Sequence, residues 1–400
     1  MGKLWLFCGV LALTIGACGG GGGGSSAPAT GGNNNPGGTS AFDNTIGLPA
    51  CPAGNALFSV PPISLDLLQY WQPLGHMSPP AHVFPADHQY LTLFAANAGS
   101  AWPLLAPGNI RVYQVKASTT GGITDYGVYF QPCGDVRARF GHVTSLSAAL
   151  LAAAGPLDQN CSTYLPAPNA PTTGCDSRQF KFELKAGEAM GTAKGLDFWL
   201  QDRRIAPLHF TNPARFVADS GYDTFHTVGA SDYFTPAVAA QIAPKVGGID
   251  PRTYSGSVFR TVAPQGGSIA VDVDGSAMGY WFNPAQAYPP ESYHAALVPE
   301  SLLPTSTQVF SIGLSQPNHG SEAIIGTFTP TTSGSVNRAF DTVTANGNIY
   351  CYQTSWHTGA VFLLQLSSAS ALRLEYREGP TSCAAQSPYA FTGAAFTYVR

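Results

Sequence analysis

The feature that most restricts the fold of this chain is its punctuation. Its 400 residues include 45 glycines and 32 prolines, and the runs between them are short and rich in Val, Phe, Tyr and Thr. Proline removes a backbone donor and glycine carries an entropic cost in any regular element, so long helices are disfavoured, whereas short strands closed by turns are not. Strand-like runs fall at Tyr90–Phe94, Ile110–Val115, Asp125–Gln131, Phe180–Leu184 and Leu196–Gln201 in the first half. In the second they fall at Ser268–Val273, Val309–Leu314, Glu322–Phe328, Ile349–Thr354, Val361–Leu366, Leu372–Arg377 and Phe391–Val399. Ser145–Ala154, rich in Ala and Leu, reads as a helix, and Asp232–Ile242 as a second short one. The expected fold class is mainly β, without an internal repeat between the halves.

Hydrophobic residues make up 44% of the chain, enough to supply cores, and residues 41 to 400 exceed what one core normally takes, so two domains are expected. Charged residues are only 10% and the formal net charge is -4, which argues against nucleic acid and against an anionic membrane surface as partners. Of eight cysteines, Cys8 and Cys18 lie in the N-terminal segment discussed next. The other six are expected to pair in an oxidising compartment. Proximity favours Cys161 with Cys175 and Cys351 with Cys383, which leaves Cys51 with Cys133. No C-x2-C pair supports a zinc-thiolate alternative.

Lys3 precedes a short apolar run, Leu4 to Ala17, that ends in Ile15-Gly16-Ala17-Cys18. The run is too short to span a bilayer comfortably, and the small residues before the cysteine read as a cleavage site. The segment resembles a bacterial lipoprotein signal, which implies that residues 1–17 are removed and that Cys18 carries lipid. Residues 19 to 40 carry no charge and consist of Gly, Ser, Asn, Pro, Ala and Thr, so 18–40 reads as a flexible tether. Gly19 stands where many inner-membrane lipoproteins have Asp, so the resemblance favours the outer membrane.

Four further segments carry chemistry-bearing residues in order: Ala81-His82-Val83-Phe84-Pro85-Ala86-Asp87-His88, Leu105 to Val112, Asp125-Tyr126-Gly127-Val128 leading to Phe140-Gly141-His142-Val143, and Leu184 to Gly191 leading to Gly195-Leu196-Asp197-Phe198-Trp199-Leu200. Together they resemble the lysostaphin or LytM-type zinc peptidoglycan endopeptidases. The first is similar to the family's His-x3-Asp ligand segment, the third to its Tyr-x-His-Leu, and the last to its His-x-His-Phe strand. The resemblance runs from Ala81 to Leu200 and implies a lysostaphin-like β domain at 41–205, a connector at 206–266 and a second, barrel-like β domain at 267–400. It further implies zinc on His82, Asp87 and Asp197, with His88 as an alternative ligand and His142 as the catalytic acid/base. Such a site needs three protein ligands and an open fourth position where bound water can ionise near neutral pH.

The sequence departs from that pattern. Four residues, not three, separate His82 from Asp87, and Gly195 and Asp197 replace the paired strand histidines. Proton handling is thereby impaired and the ligand set becomes more anionic. Structural readings stand beside the functional ones: His76 and His82 as donors to carbonyls in a Pro-rich loop, Asp87 as a turn residue, His88 as a surface residue, His142 as packing near a helix cap, and Asp197 as a solvent-facing member of its strand. Asp272 to Gly279 lacks the ligand spacing of a calcium loop and reads as a turn. Trp281, Tyr350, Tyr352 and Trp356, with His357, read as core by default, with stacking on a sugar as the alternative. Gly279-Tyr280-Trp281 with Arg400 is similar to the Trp and Arg that close the base of calycin barrels.

The expected protein is thus an envelope lipoprotein, either cleaving peptidoglycan peptide crosslinks with zinc or binding peptidoglycan, or regulating a wall hydrolase, without turnover. Because acylation requires the thiol, Cys18→Ser should move the protein from the detergent phase to the aqueous phase in a Triton X-114 partition. Unchanged partitioning would rule out the lipid anchor.

Overall fold

The computed structural model describes residues 47–48, 50–164, 171–216, 224–288, 290–317, 322–355, 359–379 and 382–400. The signal segment, the tether and Cys18 lie outside the described residues, as do Trp356 and His357. No helix among the described residues is long and apolar enough to cross a membrane.

The first half is built on one antiparallel sheet. Its elements are β1 (Leu68–Gln72), β2 (Gln89–Leu93), β3 (Trp102–Leu105), β4 (Ile110–Thr120), β5 (Ile123–Cys133), β6 (Val136–Leu146), helix α1 (Ala148–Ala154), β7 (Leu157–Tyr164), β8 (Thr172–Ser177), β9 (Phe182–Leu184) and β10 (Ala189–Asp202). Ten strands pair in the order β1-β2-β10-β6-β5-β4-β8-β7, with β3 on β10 and β9 on β4. Gly121 and Gly122, both at positive φ, make the two-residue turn between β4 and β5, where a side chain would be strained. Ser147 caps α1 by accepting from the Leu150 amide at 3.3 Å. The helix is shorter than predicted because Ser145 and Leu146 still belong to β6.

Trp71, Phe130, Phe140 and Phe198 are fully buried under this sheet. The segment predicted as a connector packs on the same core: Ala230, Tyr233, Phe234, Ile242 and Val246 join the cluster, and helix α2 (Pro236–Ile242) supplies Ile242. Phe234 lies 5.5 Å from Phe58 and edge-on to Trp71 at 5.6 Å.

The second half begins with a hairpin of β11 (Gly247–Ile249) and β12 (Ser257–Phe259). Two four-stranded antiparallel sheets follow. One contains β13 (Gly279–Trp281), β14 (Ala295–Pro299), β15 (Gln308–Ile312) and β16 (Ile324–Phe328); the other β17 (Tyr350–Gln353), β18 (Val361–Ser368), β19 (Ala371–Arg377) and β20 (Phe396–Val399). They share one core, in which Phe310 stacks on Phe362 at 4.3 Å and Trp281, Tyr350 and Tyr352 are buried, as their core reading expects. The sheets do not close into the barrel expected from sequence. A single bridge, Phe282 to Val399, joins one edge, and the Ser355 amide reaches the Thr327 carbonyl at 2.8 Å on the other. The Trp and Arg noted in the sequence do meet: the Arg400 guanidinium lies 4.1 Å over the Trp281 ring and donates to the Ser276 carbonyl at 3.0 Å.

Ser268–Val273 is not a strand, contrary to its apolar pattern. The Asp272 carboxylate accepts from the Thr211 and Tyr280 amides, at 2.8 and 2.9 Å, so side-chain bonds replace a ladder there. The two cysteine pairs favoured by proximity, Cys161–Cys175 and Cys351–Cys383, form, and so does the pair then left over, Cys51–Cys133.

A third cluster joins the halves. Phe84, from the loop between β1 and β2, sits 4.8 Å from Tyr280 and 5.3 Å from Phe282 and stacks on His294 at 5.6 Å. Removing so large a buried ring costs about 3–5 kcal/mol in well-packed cores. Phe84→Ala should therefore lower the urea midpoint by a corresponding amount, and an unchanged midpoint would show that this junction contributes nothing.

Candidate functional site

The site forms where three strands present side chains on the face opposite the apolar core. Asp197 of β10 pairs in register with Tyr90 of β2 on one side and with Gly141 of β6 on the other. A side chain at position 141 would collide with the Trp199 ring at 2.8 Å and crowd the Asp197 Cβ at 3.3 Å, so glycine here is what lets Trp199 lie across the site. His142 follows at a φ of 59°, in the left-handed region, and the β5–β6 register shifts between Tyr126 and Val128 just opposite. A non-glycine residue held there costs about 1–3 kcal/mol, and at an irregularity of this kind the strand re-aims its side chain.

That re-aiming places His142 between two carboxylates. Its Nδ1 lies 2.6 Å from Asp125 Oδ2 on β5, and its Nε2 lies 3.0 Å from Asp197 Oδ2. Burial by itself would lower the imidazole pKa, but Asp197 and Asp125 outweigh it and hold His142 well above its ordinary value. Asp197 is 5% exposed, and burial would raise its carboxyl, yet His142, His88 and His82 together keep it below the usual carboxylate value.

The predicted ligand segment lies in the loop 73–88. Two tight pairings shape it: Ser78 and His82 exchange backbone bonds at 2.9 and 3.0 Å, and the Ala86 amide donates to the His76 carbonyl at 2.9 Å. His88 stacks on Trp199 at 4.0 Å, with Nδ1 2.9 Å from Asp87 Oδ1 and Nε2 3.8 Å from Asp197 Oδ2. Trp199 Nε1 donates to the same Asp87 oxygen at 3.1 Å. His82 turns the other way, its Nδ1 3.3 Å from Glu291 Oε1. Burial lowers its pKa and Glu291 raises it, the balance lying above the ordinary value. His76 packs edge-on against Tyr90 at 5.8 Å, and burial, then His82 and His88, push it down to about 4. Burial and then Asp197 raise the Tyr90 phenol well above its ordinary value.

The structure therefore brings His82, Asp87, His88, His142 and Asp197 into one neighbourhood, but not into a ligand set. Of the candidate ligands His82 and His88, His88 is the nearer to Asp197, while Asp87 is engaged by His88 and Trp199, and Asp197 by His142. Among the described residues no group of three or more His, Cys, Asp or Glu is arranged to hold a metal ion. As the side chains stand, the donors neutralise one another instead of converging on a common point.

Asp125, Tyr90 and Trp199 are site residues that the sequence pattern does not single out, although Asp125 and Trp199 lie within its motif segments. Glu291 had no local signal at all. It sits in a short turn, Glu291–Tyr293, of the second half, and its Oε2 also accepts from the Phe84 amide at 2.6 Å. The chain matches no family model and no curated protein.

The pairing of His142 with Asp197 has a pH signature. A histidine with a raised folded pKa contributes stability that is complete below its unfolded value, about 6.5, and is lost as pH rises through the folded value. Asp197, held low, contributes stability present above its unfolded value, about 3.9, and lost as pH falls through its folded one. Asp197→Asn should bring the His142 titration, followed by its ring resonances in NMR, down towards the ordinary value, and should flatten the loss of stability above neutrality. A wild-type His142 that titrates at the ordinary histidine value would show that the pair does not form.

Proposed function

We propose that the protein is a lipid-anchored envelope protein, at the outer membrane, whose first half binds peptidoglycan without cleaving it. The observation that carries the absence of turnover is the clamp on His142. A general base needs a free lone pair, and both ring nitrogens here face carboxylates within 3.0 Å, an arrangement that favours the protonated ring and leaves neither nitrogen open to a substrate. The address rests on the lipoprotein-like signal, and the choice of peptidoglycan rests on the resemblance of residues 81 to 200 to the wall endopeptidases. Two of the site's carboxylates, Asp87 and Asp125, keep side chains about a third exposed beside their histidine partners, and an ammonium group, such as the peptide stems of peptidoglycan carry, can share them. Regulation of a wall hydrolase is compatible with the same binding.

A second reading, a zinc endopeptidase, is favoured by one observation: all five residues expected in its centre lie in one neighbourhood. In their present arrangement they do not fit zinc, because Asp197 is committed to His142 and Asp87 to His88. The two readings separate on the full-length protein purified without chelators. Binding without turnover predicts co-sedimentation with purified sacculi, far less than one zinc per chain, and no release of soluble muropeptides. One zinc per chain together with muropeptide release would establish the peptidase. Neither co-sedimentation nor release would remove peptidoglycan as the ligand.

A further inference from the structure

A second site lies beside the carboxylate cluster, at the junction of the halves, and borders it through His76. A cavity of about 210 Å³ opens between the end of β1, the β11–β12 hairpin and the strands β15 and β16, with His76, Met77, Gly248, Tyr254, Glu300 and Leu302 among its walls. It is larger than the roughly 150 Å³ apolar cavity that suffices to hold benzene. Ile249 also lines it and is 55% exposed, so this wall reaches solvent.

Its shape depends on a missing side chain. A Cβ on Gly248 would stand 3.1 Å from Leu302 Cδ1 and 4.0 Å from Gln72 Cγ, both in the cavity wall, and the backbone there is not in the left-handed region. Any larger residue at 248 would therefore fill the space. Tyr254, by contrast, is held at a φ of 54°, a strained conformation for an aromatic residue, while its side chain lines the cavity.

The polar groups of the lining restrict what can enter. No Lys or Arg lines the cavity, and Glu300 does, its carboxyl fixed by the Leu302 and Leu303 amides at 2.7 and 2.9 Å, so an anion finds no cationic partner in the wall. His76 lines the cavity and packs its ring edge-on against Tyr90. A neutral imidazole offers one donor and one acceptor, as a hydroxyl does. A rigid ring loses less freedom on entering an apolar pocket than a flexible chain of equal volume.

We propose that this cavity binds a small uncharged ring compound carrying one hydroxyl, of the phenol class, with the ring against Met77 and Leu302 and the hydroxyl on His76. The proposal stands independently of the peptidoglycan reading. Calorimetric titration of the full chain should give one saturable site for phenol, with benzoate weaker by at least about ten-fold. Gly248→Leu should abolish binding of phenol and benzene alike. His76→Phe, which keeps the ring and removes both nitrogens, should weaken phenol at least about ten-fold and leave benzene unchanged. Because a variant at a junction can fail to fold, the wild-type chain should also be photolabelled with 4-azidophenol, and labelled peptides should map to 72–77, 247–254 or 300–302. Absence of saturable phenol binding, equal affinity for benzoate, or labelling confined to other segments would overturn the proposal.

Discussion

A carboxylate on the central strand of a ten-stranded sheet is the constraint around which the first half is arranged. Taking an ionised group out of water costs several kcal/mol unless it is paired and hydrogen-bonded. Asp197 lies on β10, the strand that pairs with β2, β3 and β6, so it cannot be relocated to an edge. The structure meets that cost locally. The strand beside it breaks its regular conformation at His142, the residue before the break is reduced to glycine, and the loop 73–88 folds back to bring His88 and Trp199 together over the acid. Each of these features would be a defect in a sheet that carried a leucine at position 197.

The same loop fastens the halves to one another. Its residue His82 is answered by Glu291 and its residue Phe84 enters the aromatic cluster of Tyr280, Phe282 and His294, so one stretch of chain serves both the polar site and the junction. Glu291 bonds to the His82 ring and to the Phe84 amide at once. A displacement of the second half would therefore change the charge environment of the histidines, which makes the second half a part of the site and not an appendage to it.

Much of this was legible in the sequence, and the parts that were not share a cause. Strands such as Val361–Ser368 and Ala371–Arg377 show in their alternation and turn signals, and two of the cysteine pairs follow from short loops, with Cys51–Cys133 left over. Asp197 stood out because an acid among Leu196, Phe198 and Trp199 is costly unless it is paired, metal-bound or turned to solvent. His142 was legible as a chemical residue, but its left-handed backbone and its second carboxylate were not, since both follow from how three strands align. Ser268–Val273 misled because apolar spacing does not distinguish a ladder from a segment pinned by the Asp272 carboxylate. Glu291 was invisible for a simpler reason: what makes it a site residue is a contact across 209 positions to His82, since 291 − 82 = 209.

From Leu196 to Asp202 every residue of β10 is buried, on both faces of the sheet. One face, Leu196, Phe198 and Leu200, belongs to the apolar core. The other, Asp197, Trp199 and Gln201, is covered not by a second apolar layer but by polar and charged side chains: His88 and the Arg139 guanidinium on Trp199, and Arg137 on Gln201 at 2.5 Å. An antiparallel sheet ordinarily leaves one face to water. Here that face is closed by side chains whose contacts are electrostatic and orientation-dependent, so it gives up stability that an apolar layer would supply and gains groups able to exchange partners. On the core side the polar groups are fixed instead: Gln89 is held by Trp71 and Ser231, and Asp202 by Tyr233 and Arg204.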